Sequence, residues 1–369
     1  MMKHIDTMKE IEIDAVNAVR ELLGNLPAMV ITSVDYEEFA SVDRGIDGKI
    51  SFRYGDVDYA LIIEVKAKGA PRHVRGAIYQ LRNYVAYADQ NDLAHVNRKL
   101  IPMLVVPYLS PESRTVCIDH NVAYLDLFGN SHLAFDAVYI DRAVADKPKA
   151  EVRALRSIFT PKASAILRAI VSEPQKAWRV TELAEKADAS LGHVSNVRKA
   201  LLEREWIEES EDGVVLSKPS ELLDAWRDNY RRPSRQRVSR YTPLHGQELE
   251  ERLRGTLNPY KNGPLAVYSQ NSAAKWIAPF GRNSMNTFYA DDEGSEMLEH
   301  ALSLSHAPKG ANVVIHTTND NSIFRDAIEP VSGIFCTSPV QTYLDLWNGN
   351  DRDREAATVL REEALSWSR

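Results

Sequence analysis

Cysteine is scarce in this sequence: Cys117 and Cys336 are the only two in 369 residues. Two cysteines so far apart make no disulfide framework and point to reduced thiols in a cytoplasmic protein. Long apolar runs are missing as well. Stretches such as Ala60–Ile63 and Met103–Val106 fall far short of the roughly 18 residues a bilayer span needs, so no membrane is expected. Met1 to Asp14 alternates charged and apolar side chains and does not read as a signal peptide. Internal repeats and low-complexity tracts are absent. So is any basic excess: the net charge of −7 argues against a nonspecific polycationic nucleic-acid binder. What remains, 44% hydrophobic and 26% charged over a length suited to two or three domains, is an ordinary globular composition.

The charge is unevenly spread. Residues 1–150 hold 17 Lys and Arg against 21 Asp and Glu, residues 151–240 hold 17 against 14, and residues 241–369 hold 11 against 17. Only the middle third is basic, and its end is the most basic part, with Arg231, Arg232, Arg235, Arg237 and Arg240 in ten residues free of acid. Such a run reads either as a solvated linker or as a phosphate-contacting arm beside a DNA-binding module. Asp146-Lys-Pro-Lys-Ala150 and Arg232-Pro-Ser-Arg235 read as linkers and divide the chain into segments 1–148, 149–232 and 233–369.

The first segment opens with a helical period: Met8, Ile11, Ala15, Ala18, Val19 and Leu22 share a face, with Glu12 at its margin. Further on, Gly55-Asp56 is an accepted two-residue hairpin turn. Folded about it, the chain places Asp47 opposite Glu64, with Lys66 on the same face; Leu61, Ile63 and Val65 take the other. Two facing carboxylates repel unless a cation lies between them. Mg²⁺ binds one or two carboxylates and keeps several waters, and an adjacent ammonium can orient a water that attacks a phosphodiester. The Glu-x-Lys spacing alone is common, and Asp47-Gly-Lys49 resembles it. The combination gains weight from the helix that starts at Pro71, where Gln80-Leu-Arg-Asn-Tyr84 sets Gln80 and Tyr84 one turn apart.

Asp47, Glu64-Val-Lys66 and Gln80-x-x-x-Tyr84 together resemble the PD-(D/E)XK nuclease superfamily, the restriction-endonuclease-like α/β fold, over about residues 5–140. The resemblance implies a deoxyribonuclease with Mg²⁺ or Mn²⁺ held by Asp47 and Glu64, and by Glu12 as the acid of the first helix. It implies that Lys66 serves the attacking water and that Gln80 and Tyr84 shape the site. A nuclease fold that keeps these residues without activity is the alternative. Later in the segment, Ile101–Pro107 reads as a buried strand, Ser110-Pro-Glu as a helix start, and Val122–Leu133 as strand, turn and strand. Asp126 and Asn130 read as turn residues beside Gly129, and His132 lacks a second ligand at metal-binding spacing.

In the second segment, Thr160-Pro161 suggests a capped helix start, followed by Ala163, Ile166, Leu167 and Ile170 at helical spacing. Arg179–Ala187 and Leu191–Leu202 are two further helices joined at Asp188-Ala-Ser190, and Asp212-Gly213 is a hairpin signal. This order resembles a winged helix-turn-helix of the MarR kind. Leu191, Val194, Val197 and Leu201 are expected to be buried, leaving Ser190, His193, Asn196 and Lys199 to face a major groove. The acidic wing, Glu208, Glu209, Glu211 and Asp212, favours protein contacts instead.

The last segment mixes short strands (Leu265–Tyr268, Asn312–His316, Gly333–Cys336) with helices, an α+β pattern without a Gly-rich phosphate loop or nucleophile elbow. Pro102–Pro111, Tyr124-Leu-Asp-Leu-Phe-Gly-Asn130, Ser190–Ser195 and Ser338-Pro-Val-Gln-Thr-Tyr-Leu-Asp-Leu346 together resemble AbiEi-type antitoxins and transcriptional regulators. That resemblance implies binding of the protein's own operator and a neighbouring nucleotidyltransferase toxin. The expected molecule is thus an α/β multidomain DNA-binding protein whose partners are DNA, a second copy of the chain and that toxin. It is either a metal-dependent nuclease or a non-enzymatic regulator, with a pure protein scaffold as a third reading. Phosphate contacts are expected from Arg231, Arg232, Arg235 and Arg237.

Overall fold

The computed structural model describes residues 2–38, 46–90, 98–256, 264–281, 284–306 and 309–367, and statements of structure concern these. The chain is mixed α/β with several sheets and divides into two compact units: Met1–Arg153 with Leu201–Glu205, and Ala154–Ala200 with Trp206–Arg369.

The first unit runs α1 (Met2–Gly24), β1 (Met29–Glu38), β2 (Ile46–Tyr54), β3 (Val57–Val65), α2 (Pro71–Gln90), β4 (Arg98–Val106), α3 (Pro111–Asp119), β5 (Ala123–Asp126), β6 (Ser131–Phe135) and β7 (Val138–Arg142). Its strands form one sheet in sequence order, antiparallel except that β3, β4 and β5 are parallel, which the crossover helices α2 and α3 permit. Helices cover both faces, so β3 reads as a nearly continuous apolar run. Its residues divide by parity. Leu61, Ile63 and Val65 pack with Ala15, Val16, Val19 and Leu23 of α1, whereas Ala60 and Ile62 pack with Val74, Ala77, Ile78 and Leu81 of α2. The side chain of Met8, expected on the α1 face, lies outside the described residues. Gly55 takes φ +61 at the tight turn, and pairing runs from Tyr54 opposite Val57 to Gly48 opposite Ile63, the register expected from the sequence. Gly48 is where α1 comes closest: a Cβ there would stand 2.7 Å from Val16 Cγ2.

Next along the chain come α4 (Lys149–Ile158), α5 (Pro161–Ser172), α6 (Val180–Ala187), α7 (Leu191–Glu203), β8 (Ile207–Ser210), β9 (Gly213–Leu216) and α8 (Pro219–Asn229), which belong to the second unit except for the start of α4 and the last turn of α7. Asp188 takes the left-handed conformation that ends α6, and Ser190 Oγ accepts from His193 N at the start of α7. Three local expectations need correction. The Thr160 hydroxyl bonds Ser157 O rather than capping α5. Ser210 pairs with Gly213, so the hairpin turns on Glu211-Asp212, one residue earlier than expected. Leu191, in the first turn of α7, is 54% exposed, while Val194, Val197 and Leu201 are buried.

The rest of this unit is a second sheet with helices: β10 (Gln236–Tyr241), α9 (Gly246–Thr256), β11 (Ala266–Tyr268), α10 (Gln270–Ile277), β12 (Asn286–Ala290), α11 (Asp292–Ala301), β13 (Ser305–His306), β14 (Val313–Thr317), α12 (Ser322–Arg325), β15 (Ile328–Val331), β16 (Ile334–Cys336), α13 (Pro339–Trp347) and α14 (Asp351–Ala364). Its order is β13-β10-β14-β12-β11-β16-β15. The core gathers Leu253, Val267, Phe288, Leu298, Ile315 and Ile334. The Arg-rich run is therefore no loose arm: from Gln236 on it is a sheet strand paired with β14. Among the described residues, no helix is long and apolar enough to cross a membrane.

Candidate functional site

The end of β3 carries the clearest chemistry. The hairpin brings Asp47 beside Glu64, and the Val65 N–H donates to Asp47 Oδ2 at 2.6 Å, fixing that carboxylate against the strand. Glu64 is only 4% exposed, and Lys66 Nζ donates to its Oε1. Burial pushes the Glu64 carboxyl up to about 7, the negative charge of Asp47 adds to the rise, the bond and charge of Lys66 oppose it, and Glu12 raises it a little further. Glu12, Asp47, Glu64 and Lys66 are thus brought into one electrostatic cluster. Gln80 and Tyr84 lie half-buried on α2, and Tyr84 packs on the core around Ala60 and Ile62. Among the described residues, no group of three or more His, Cys, Asp or Glu is already set to hold a metal ion. The cluster is a pair of hard oxygen donors with a third acid and an ammonium close by, which suits an ion that keeps most of its water.

At the end of β5, Asp126 is buried and accepts from the backbone N–H groups of Leu109, Phe128, Gly129 and Asn130 and from Asn130 Nδ2, at 2.7–3.0 Å. Asp126 and Asn130 therefore organise the turn, as their residue types suggest. His132 stacks on Tyr124 at 5.8 Å between ring centroids.

On α7, Ser190, Asn196 and Lys199 are exposed; His193 is half-buried, and its Nε2 has no partner among the described residues. Beside them, hairpin acids hold two arginines: Arg198 Nη2 donates to Glu209 Oε1 at 2.7 Å and Arg179 Nη2 to Asp212 Oδ1 at 3.4 Å. The arginine run is divided in its commitments. Arg231 and Arg237 are exposed. Arg235 pairs with Asp292 and Arg240 with Glu299. Arg232 points inward, its Nε on Asp345 Oδ1 at 3.1 Å and its Nη2 on Asp345 O at 3.0 Å, so it is engaged as an internal counter-ion rather than held out for phosphate.

Asp345 is the centre of a buried polar network that sequence reasoning missed. It is fully buried and also accepts from Tyr230 OH at 2.7 Å, Tyr289 OH at 2.9 Å and Gln341 Nε2 at 3.1 Å. Burial, with Asp345 alongside, pushes both tyrosine hydroxyls well above their ordinary value. Gln341 Oε1 accepts from Arg168 Nη1 at 3.2 Å, and Arg168 Nε donates to Asp326 Oδ2 at 2.7 Å, which ties α5 to α13. His316 borders this network: Gln270 Nε2 lies 3.1 Å from its Nε2 and Ser234 Oγ 3.3 Å from its Nδ1. Burial, then Arg232 and Arg237, push His316 down to about 4, so it is neutral near pH 7. The available signal was Gln341 and Asp345, one turn apart in the largely apolar helix Pro339–Trp347.

The family model described as transcriptional regulator, AbiEi antitoxin, Type IV TA system matches residues 215–366, from within β9 to just past α14. Over that stretch the chain is similar to these antitoxin regulators. No curated protein matches the chain.

Proposed function

We propose that this chain is a DNA-binding transcriptional regulator of the AbiEi antitoxin kind, acting on its own operator and opposing a nucleotidyltransferase toxin. The observation that carries the reading is the similarity to those regulators over residues 215–366. It is supported by the elements just ahead, where α5, α6, α7 and the β8–β9 hairpin follow the order of a winged helix-turn-helix. In this reading the exposed N-terminal part of α7 enters the major groove, where Asn196 can pair with adenine and Lys199 can contact phosphate. Arg231 and Arg237 add phosphate contacts, and a homodimer would read two half-sites. Footprinting on DNA upstream of the coding sequence tests this. Wild type should protect one segment and Asn196→Ala should not; no protection at any protein concentration contradicts it.

A second reading is favoured by the cluster on β3: the first unit is a restriction-endonuclease-like domain that hydrolyses DNA phosphodiesters. Asp47 and Glu64, with Glu12 nearby, have the donor chemistry for Mg²⁺ or Mn²⁺, which when bound would supply a Lewis acid and a more acidic water. Lys66 holds Glu64 and would orient that water, while Gln80 and Tyr84 would bound the site from α2. Duplex and single-stranded DNA incubated with Mg²⁺ should be cut by wild type and not by Lys66→Ala. Equal behaviour of the two proteins rules out a catalytic role for this cluster.

A further inference from the structure

Turns expose polar side chains as a rule, because Asn, Asp, Ser and Gly satisfy the local backbone. The turn after β5 exposes apolar ones: Leu127 is 44% exposed and Phe128 38%. The backbone that carries them is fixed from beneath by the five N–H donors that converge on Asp126. Asn130, fully buried, locks the far side, where its Oδ1 accepts from Val144 N at 2.7 Å and Arg114 Nη1 at 3.0 Å. Phe128 meets Tyr108 edge-on, with ring centroids 5.9 Å apart and planes at 88°. The exposed apolar tip is therefore rigid, and ordering it costs a partner nothing further.

Two neighbours indicate what would rest on it. Arg142 is exposed, and a Cβ at Gly129 would stand 4.0 Å from its guanidinium carbon, so a cation flanks the tip. The acid–lysine cluster lies at the same C-terminal end of the parallel strands β3, β4 and β5. Val65 pairs with Val105 and Val106 with Asp126, so Lys66 and Asp126 share one cross-strand row. They are two strands apart, about 10 Å at ordinary strand spacing. A turn that carries an exposed aromatic ring and is flanked by a guanidinium suits a base with its phosphate, whereas an apolar protein surface would leave Arg142 unmatched.

We propose that the Leu127–Phe128 turn is a nucleobase-stacking platform: an unpaired base of a single-stranded nucleic acid rests on Phe128, and Arg142 takes the adjacent phosphate. The strand then passes to Asp47, Glu64 and Lys66; only this destination rests on the nuclease reading. The test uses the full chain in EDTA, so that no strand is cut, and the anisotropy of a labelled single-stranded oligonucleotide carrying one abasic nucleotide at successive positions. Wild type should lose affinity roughly tenfold when the abasic position reaches the platform, within the range that base–aromatic stacking spans. Phe128→Ala should bind the intact strand roughly tenfold more weakly and be indifferent to the abasic position, and Phe128→Tyr should behave as wild type. Intact-strand binding unchanged in Phe128→Ala, or the same abasic response in that variant, overturns the proposal. So does a result in which Phe128→Ala loses a protein partner but no oligonucleotide affinity. If wild type cuts nothing in Mg²⁺ while the abasic cycle holds, the platform stands and the nuclease reading falls.

Discussion

Replacing Glu64 by Gln should stabilise the protein at neutral and alkaline pH and do nothing comparable in acid. Burial and the charge of Asp47 raise this carboxyl from about 4.5 to about 7 in the folded state, against the opposing pull of Lys66. A folded-state value above the unfolded one means that the native protein holds the proton more tightly. The resulting stabilisation is complete below about 4.5 and is lost as pH rises to about 7. The rise corresponds to about 3 kcal/mol for a group this deeply buried, to order of magnitude. Gln is neutral throughout and escapes the loss. Urea unfolding of wild type and Glu64→Gln across this pH range should give a difference that grows by about 3 kcal/mol in favour of the variant and then levels off. Added Mg²⁺ at pH 8 should narrow the gap by stabilising wild type alone. Parallel stability curves would refute the reasoning, because they would mean that the Glu64 charge is already compensated by Lys66.

Other perturbations probe the packing and the surface proposed to face DNA. Gly48→Ala should destabilise the first unit by about 1–3 kcal/mol in thermal or urea unfolding, since the added methyl would stand 2.7 Å from Val16 Cγ2. Arg168→Met leaves Asp326 and Gln341 without their buried partner and should cost about 3 kcal/mol; a change under about 1 kcal/mol would show that the network tolerates its loss. Glu209→Gln frees Arg198 and removes a carboxylate beside α7, so affinity for arbitrary duplex DNA should rise several-fold and its salt dependence steepen; unchanged binding would place the hairpin away from DNA.

The sequence carried local geometry well and long-range pairing poorly. The β2–β3 hairpin was legible because a two-residue Gly55-Asp56 turn leaves one register, and that register alone fixes which carboxylates meet. The α5–α7 helices were legible from apolar spacing, but Leu191 was not, because a first-turn position sits at the rim of the packed face. The hairpin turn was misplaced by one residue since Asp-Gly is a strong local signal, while Trp178, which bridges to Val214, helps set the actual pairing. The acidic partners of the arginine run were hidden for a different reason. Its strand is half-exposed, its charges look solvated in one dimension, and the partners Asp292, Glu299 and Asp345 lie far along the chain. The Asp345 network was invisible for the same cause, drawing on Arg168, Tyr230, Arg232, Tyr289 and Gln341 from four separate stretches.

The central claim is that this chain reads one DNA sequence through α7. The most direct measurement is the ratio of affinities for the upstream operator duplex and for a scrambled duplex of equal length at physiological salt. The account predicts a ratio of about a thousand or more for wild type, falling steeply in Asn196→Ala while binding to the scrambled duplex is unchanged. A ratio near unity, the same in both proteins, would contradict it.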